Sequence, residues 1–208
     1  MSATAPRPYR SQLRETQARA TRRSIVEAAT RLFLERGYAA TTIDAVAEAA
    51  GVSRRTVFQS AGGKAQLLKL AWDWSLVGDD EPVPMAERPM IKRISAQTDP
   101  EAAIALWAKV QTEVAGRAAA IAHVLEAAAD VDSEAAELLA LSESQSRYGA
   151  AAFAGFLGSI GGLRPGLSEE EATDIGWVHL SFTAYRRLVG ARGWSPERFE
   201  RWLARSLT

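Results

Sequence analysis

Cysteine is missing from the chain altogether. Its absence excludes disulfides, thiolate metal sites and a cysteine nucleophile, and it fits an expected cytoplasmic location. Long apolar runs are missing as well. No stretch approaches the roughly 18–20 residues needed to span a bilayer, so no membrane partner is expected. The opening stretch MSATAPRPYRSQLRETQARATRR lacks the apolar segment of a secretory signal. The familiar enzyme signatures are absent too, with no HExxH and no nucleophile motif. Glycines between 158 and 166 follow a helical pattern rather than a strand, so they do not read as a phosphate loop. Neither an enzyme nor a cofactor is expected.

What is present is an uneven distribution of charge. The 208 residues carry 25 basic and 25 acidic side chains, a formal net charge of zero. Residues 1–70 nevertheless hold 12 Lys/Arg against 5 Asp/Glu, or +7, and residues 71–208 hold −7. A basic first third joined to an acidic remainder points to one part that meets a polyanion and another that does not. Hydrophobic content of 47% is ample for a buried core.

The stretch 41–60, TTIDAVAEAAGVSRRTVFQS, sits inside the basic part. Ile43, Ala45, Val46, Ala47, Ala49 and Ala50 mark one short helix, and a second opens at Ser53 and carries Val57 and Phe58. Gly51 lets the chain turn between them. Two short helices joined in this way, the second bearing outward arginines, form a helix-turn-helix. The second helix of that motif lies in the major groove. Arginine suits guanine O6/N7 and glutamine suits adenine N6/N7, so Arg54, Arg55 and Gln59 are apt for reading bases. Two arginines on a short exposed helix also serve solvation alone.

The surrounding residues extend the pattern. Residues 1–16 read as a flexible basic arm. Arg7, Arg10 and Arg14 either track phosphates or reach a minor groove, or the arm is only a solubilising tail. A helix from about Gln17 to Glu35 places Ile25, Ala28, Ala29, Leu32 and Phe33 on one face. Thr41 or Thr42 caps the next helix, and Thr42 can also bind a phosphate oxygen. Lys64 stands at the start of a further helix, where its charge is unfavourable unless a phosphate offsets it.

These residues together resemble the DNA-binding domain of TetR-family transcriptional regulators. The resemblance runs over residues 19–72, on IVEAATRLFLERGYAATTIDAVAEAAGVSRRTVFQ and GGKAQLL. It implies that Thr42 and Lys64 contact phosphate, and that Ser53, Arg54, Arg55, Thr56, Phe58 and Gln59 lie on or beside the recognition helix. The chain departs from the family where that helix ends. The common Tyr-x-His-Phe is replaced by Phe58-Gln59-Ser60-Ala61. A phenolic hydroxyl and an imidazole are lost there, and Arg55 is expected to supply part of the missing attraction.

The rest of the chain reads as helices, with no strand alternation and no internal repeat. Helices are expected from Lys64 to Gly78, near Ala86–Ser95, from Asp99-Pro100 to a break at Gly116, and over Ala118–Ala129. Further helices are expected from Ser133 to Gly158, from Ser168 to about Ala191, and after Ser195. The fold class is all-α with about nine or ten helices. Its expected division is an arm (1–16), a helix-turn-helix domain (17–65) and a helical ligand-binding and dimerisation domain (66–208).

The resemblance implies a homodimer and an unidentified small-molecule effector held in the second domain. Candidate pocket residues are Trp107, Gln111, His123, Tyr148, Phe153, Trp177 and His179. Core packing accounts for the aromatics as well, and the two histidines fit hydrogen-bonded core or interface positions better than a metal site, so no metal is expected. Candidate dimer residues are Gly149, Phe153, Phe156, Val178, Phe182 and Tyr185. The expected function is a sequence-specific regulator, a repressor released from a palindromic double-stranded operator by its effector. The alternative is an architectural DNA-binding protein without an effector.

Overall fold

The computed structural model describes residues 8–81 and 83–207. Those residues are helical with no strand, in the order α1 (Pro8–Ala40), α2 (Ile43–Ala49), α3 (Arg54–Ala61), α4 (Lys64–Val77), a 3₁₀ turn (Met85–Glu87), α5 (Pro89–Ser95), α6 (Pro100–Ala129), α7 (Ser133–Ser159), α8 (Glu169–His179), α9 (Phe182–Tyr185), a π-helical turn (Arg186–Ala191) and α10 (Pro196–Leu207). The chain divides into two compact units, Met1–Ala71 and Trp72–Thr208. No helix among the described residues is long and apolar enough to cross a membrane.

In unit 1 the expected apolar face of α1 is the core. Ile25, Ala29 and Phe33 are fully buried, together with Val57 of α3 and Leu67 and Leu68 of α4. Helix α1 breaks its helical geometry at Gly37 (φ 78, ψ 168). Tyr38 then folds back so that its ring stacks on Phe33, with centroids 5.7 Å apart. The two threonines divide the labour that follows. Thr41 is buried and its hydroxyl donates to the Gly37 carbonyl at 2.8 Å, whereas Thr42 is the cap of α2. The arm differs from expectation: residues 8–16 continue α1 upstream. Arg7 and the side chain of Arg10 lie outside the described residues.

Unit 2 is built on α6. Asp99 caps it by accepting from the amides of Glu101 (3.3 Å) and Ala102 (3.1 Å), and Pro100 fills the first turn, where its missing N–H costs nothing. The expected break at Gly116 does not occur, because α6 is continuous from Pro100 to Ala129. Gly116 serves close approach instead. A Cβ there would stand 3.3 Å from the Tyr185 hydroxyl oxygen. Asp132 rather than Ser133 caps α7. Ser168 and Glu171 form a reciprocal capping box at the start of α8: the Ser168 hydroxyl accepts from the Glu171 amide at 3.2 Å, and the Glu171 carboxylate accepts from the Ser168 amide at 3.0 Å.

The helix expected to reach Ala191 stops at His179. Ser181 caps a new start by accepting from the Thr183 amide at 3.3 Å. The restart turns two aromatics inward. Phe182 meets Trp72 edge-on with centroids 5.6 Å apart, and Tyr185 meets Phe199 at 5.0 Å.

The segment after α4 is held by charge. Arg88 is buried and grips both carboxylate oxygens of Asp79, at 2.7 and 3.0 Å. Those bonds, with the Glu81 amide, hold the Asp79 carboxyl at about 2 rather than its ordinary 3.8. A depressed carboxyl contributes stability that is complete above the unfolded value and is lost as pH falls through the folded one. Asp79→Asn is therefore expected to remove part of the acid sensitivity. Thermal unfolding followed from pH 5 down to pH 2 should fall less steeply in the variant, and parallel curves would show that the Arg88 pair contributes nothing.

Candidate nucleic-acid interface

The turn between α2 and α3 follows from three residues. Ala50 closes α2 by donating its amide to Val46 O at 2.9 Å. Gly51 takes φ 67, which a residue with a Cβ adopts only under strain. Ser53 is extended and accepts from the Thr56 amide at 3.1 Å, capping α3. Its hydroxyl also pairs with that of Thr56 at 2.8 Å, so both are engaged in fixing the helix start.

Helix α3 then has two distinct faces. Val57 is fully buried and Ala61 nearly so. Arg54, Arg55, Phe58 and Gln59 are exposed, and their spacing of one, four and five residues makes one continuous strip. Phe58 is 47% exposed, an apolar group offered to solvent on an otherwise polar strip. An aromatic in that position suits a thymine methyl. One arginine is not free. Arg54 Nη1 lies 2.9 and 3.2 Å from the two carboxylate oxygens of Asp44, and its guanidinium carbon stands 5.7 Å from the centre of the Phe58 ring.

Thr42 accepts from the Ala45 amide at 3.1 Å. Its own hydroxyl proton remains available to an acceptor such as a phosphate oxygen. Lys64 does not need a phosphate to offset its place at a helix start. Its ammonium donates to the Ala39 carbonyl at 3.2 Å and stands 4.2 Å over the Tyr38 ring.

Two residues absent from the sequence reading join this surface. Arg19 and Arg22 line an open groove of about 790 Å³ with Glu15, Thr16, Ala18, Gln59 and Ser60. Their spacing puts Glu15, Ala18, Arg19 and Arg22 on one face of α1 (i, i+3, i+4, i+7). That signal is readable once the helix is extended upstream of Gln17. Both arginines flank the end of α3, where Ser60 stands. Replacing both by alanine is expected to weaken binding to every duplex alike. The slope of log affinity against log salt should shrink by up to about two. Titrations at several salt concentrations measure this, and an unchanged slope would take both residues off the phosphate backbone.

The family model described as bacterial regulatory proteins, tetR family, matches residues 25–71, the segment that carries α2, the turn and α3. Over those residues the chain is similar to the DNA-binding domain of TetR-family regulators. Among characterised relatives, the HTH-type transcriptional regulator TtgR of Pseudomonas putida is 42% identical over 57 residues. That match spans 27% of this chain and 27% of TtgR, so the chain is matched to about a quarter of TtgR's length. Similarity of fold extends further than the sequence match. FadR, a fatty acid degradation regulator from Bacillus halodurans, superposes with a TM-score of 0.70 at 14% identity, over 90% of this chain and 94% of that one. NalD, the secondary repressor of the MexAB-OprM efflux pump in Pseudomonas aeruginosa, does so at 0.68 and 17% identity, over 92% and 95%. AibR in complex with isovaleryl coenzyme A and operator DNA gives 0.60 at 16%, over 88% and 96%.

The second unit does not gather the expected pocket residues into one place. Trp107 is buried and stacks on Phe153, with centroids 4.9 Å apart and planes 9° from parallel. Gln111 is half-buried. His123 is exposed and lies 3.4 Å from Glu126. Tyr148 is 78% exposed, and Trp177 is exposed as well. His179 donates through Nδ1 to the Ile175 carbonyl at 2.8 Å and packs near Trp202. A small cavity of about 30 Å³ lies instead among Phe153, Leu157, Leu163, Ile175 and Leu207. Of the expected pocket residues only Phe153 touches it.

The expected dimer residues also separate. Gly149 and Val178 are exposed. Phe153 and Phe156 pack against the core formed by Ala103, Ile104 and Leu157. Phe182 and Tyr185 are half-buried in the contacts already described.

Proposed function

We propose that this chain is a homodimeric transcriptional regulator acting in the cytoplasm, a repressor that an unidentified small molecule releases from a palindromic operator. The observation that carries the reading is the outward strip of α3, in which Arg54, Arg55, Phe58 and Gln59 stand exposed over a fully buried Val57. One such helix makes few base contacts. Two of them related by a two-fold read both halves of a palindrome, with half-sites about one helical turn apart or a multiple of it.

Dimerisation is supported by what α7 and α8 leave uncovered. Tyr148 (78%), Val178 (65%) and Trp177 (38%) are exposed large apolar side chains. Asp174, Trp177 and Val178 share one face of α8 (i, i+3, i+4), and Asp174 is tied to α7 by Arg147 at 3.3 Å. Large apolar side chains left exposed on two packed helices suit an association site. Within this reading the dimer face is Tyr148, Gly149, Trp177 and Val178, and the inward-packed Phe153 and Phe156 belong to the effector chamber.

The effector is expected to enter the apolar region around Phe153, Leu157, Ile175 and Leu207. Its present cavity has room for about one water, so binding must open it. A ligand that binds only the opened state shifts the dimer toward that state, and release follows if that state fits DNA poorly. The test is a footprint on a selected duplex with the stoichiometry measured beside it. Two chains per duplex and loss of the footprint on adding an effector support the regulator. Stable but sequence-indifferent binding that no ligand alters favours an architectural protein.

A further inference from the structure

Arg54 is one of two arginines on the exposed strip of α3, and it is the one that Asp44 already holds. Asp44, in the first turn of α2, takes Arg54 Nη1 between its two carboxylate oxygens, at 2.9 and 3.2 Å. Phe58, one turn along α3, sets its ring 5.7 Å from the guanidinium carbon. Both members of the ion pair stay largely exposed, at 60% and 67%, so its worth as a stabiliser of the fold is slight. A carboxylate on a surface that meets phosphates also works against general attraction to DNA. This ion pair has a use where the gain lies in selectivity rather than in affinity.

We propose that Asp44 is a positioning residue for base recognition. It pins Arg54 against Phe58, so that Nη1 is committed and the edge formed by Nη2 and Nε is left to address guanine O6 and N7. The inference rests on the proposed role of α3 as the reading helix. Three consequences follow from the chemistry. A guanidinium held before contact loses less side-chain freedom on binding and reaches fewer alternative acceptors. If Arg54 swings instead to a phosphate, Asp44 is left unpaired beside the DNA, which penalises nonspecific complexes. The carboxylate also carries acceptor capacity beyond Nη1, which suits a cytosine N4 amino group nearby. Phe58 acquires a reason to lack a hydroxyl, since a plain ring is a sufficient platform for the arginine plane.

The test uses the full chain as wild type, Asp44→Asn, Asp44→Glu, Arg54→Ala and the double variant Asp44→Asn/Arg54→Ala. Each is measured against duplexes selected by the wild type, against single-base changes in them, and against random duplex. Arg54→Ala is expected to erase preference at one position of each half-site. Asp44→Asn should weaken preference at that same position by about tenfold, the scale of one good bidentate contact. It should also raise affinity for random duplex by roughly threefold at low salt, as one negative charge is removed. Asp44→Glu keeps the charge and shifts the carboxylate, so it should lose the preference without that rise. In the Arg54→Ala background, Asp44→Asn should leave the base profile unchanged, because Asp44 acts through Arg54.

Two results would overturn the inference. One is a base profile that Asp44→Asn and Asp44→Glu leave intact while only overall affinity moves, which makes Asp44 a plain charge. The other is a change of profile that persists when Arg54 is absent. A wild-type chain that selects no sequence would instead overturn the reading of α3 itself.

Discussion

Replacing Arg54 and Arg55 together by alanine should cost the chain its preferred duplex while leaving it folded. Each arginine is exposed on the strip of α3 that faces away from Val57. A good bidentate contact to guanine contributes roughly 1–3 kcal/mol, so losing both should cost roughly 2–6 kcal/mol, about thirtyfold or more in affinity. Stability should hardly move, because what Arg54 loses is a solvent-exposed ion pair with Asp44 worth about 1 kcal/mol at most and an exposed contact with the Phe58 ring. Fluorescence anisotropy on a selected duplex reads the first effect and thermal unfolding the second. The Arg55→Ala variant alone tests the narrower expectation that Arg55 makes up for the hydroxyl and imidazole absent at Phe58 and Ser60. Its salt slope should fall by about one, and an unchanged slope would refute the compensation.

The second large effect concerns the platform beneath α3. Phe33 is fully buried and stacked on Tyr38, the residue that carries the chain from α1 toward Thr41 and Thr42. Phe33→Ala should destabilise unit 1 by about 3–5 kcal/mol, since the lost transfer energy is joined by a cavity that neighbours fill only in part. Phe33→Leu, closer in volume, should cost less than about 1.5 kcal/mol. Denaturant titration followed by circular dichroism measures both. A cost below about 1 kcal/mol for alanine would mean that the ring does not hold α1 to the turn, and that DNA binding survives its loss.

Much of this arrangement is legible in the sequence, because its causes are local. Ser53 before Arg54, Asp99 before Pro100 and Ser168 three residues before Glu171 announce helix starts through hydroxyl or carboxylate acceptors, and the structure places a helix after each. The apolar face of α1 follows from its period alone. The misreadings share a different origin, in which tertiary contacts decide. Gly116 suggests a break, but α6 runs through it, and the glycine leaves room for the Tyr185 hydroxyl, 3.3 Å from where a Cβ would stand. The helix expected from Ser168 to about Ala191 puts Val178, Phe182 and Tyr185 on one face by period. A restart at Ser181 nevertheless separates an exposed Val178 from an inward Phe182.

The site divides in the same way. The strip on α3 is legible because residue type and spacing suffice. The engagement of Arg54 is not, since Asp44 lies ten residues away and only the angle between α2 and α3 brings it within 2.9 Å. Arg19 and Arg22 lie upstream of the apolar face of α1, which starts at Ile25, on a stretch of mostly polar residues. Aromatic and polar character is what marks the candidate pocket residues in the sequence. Burial sorts that set differently, with Trp107 in the core and Tyr148 in solvent.

The most direct test of the central claim is selection of bound duplexes from a random pool by the full chain, with mapping of its sites along genomic DNA. The account predicts a palindromic consensus with half-sites about one helical turn apart or a multiple of it, lost when Arg54 and Arg55 are replaced. Enrichment of no sequence, or of one that survives loss of both arginines, would contradict the assignment of α3 as the reading helix.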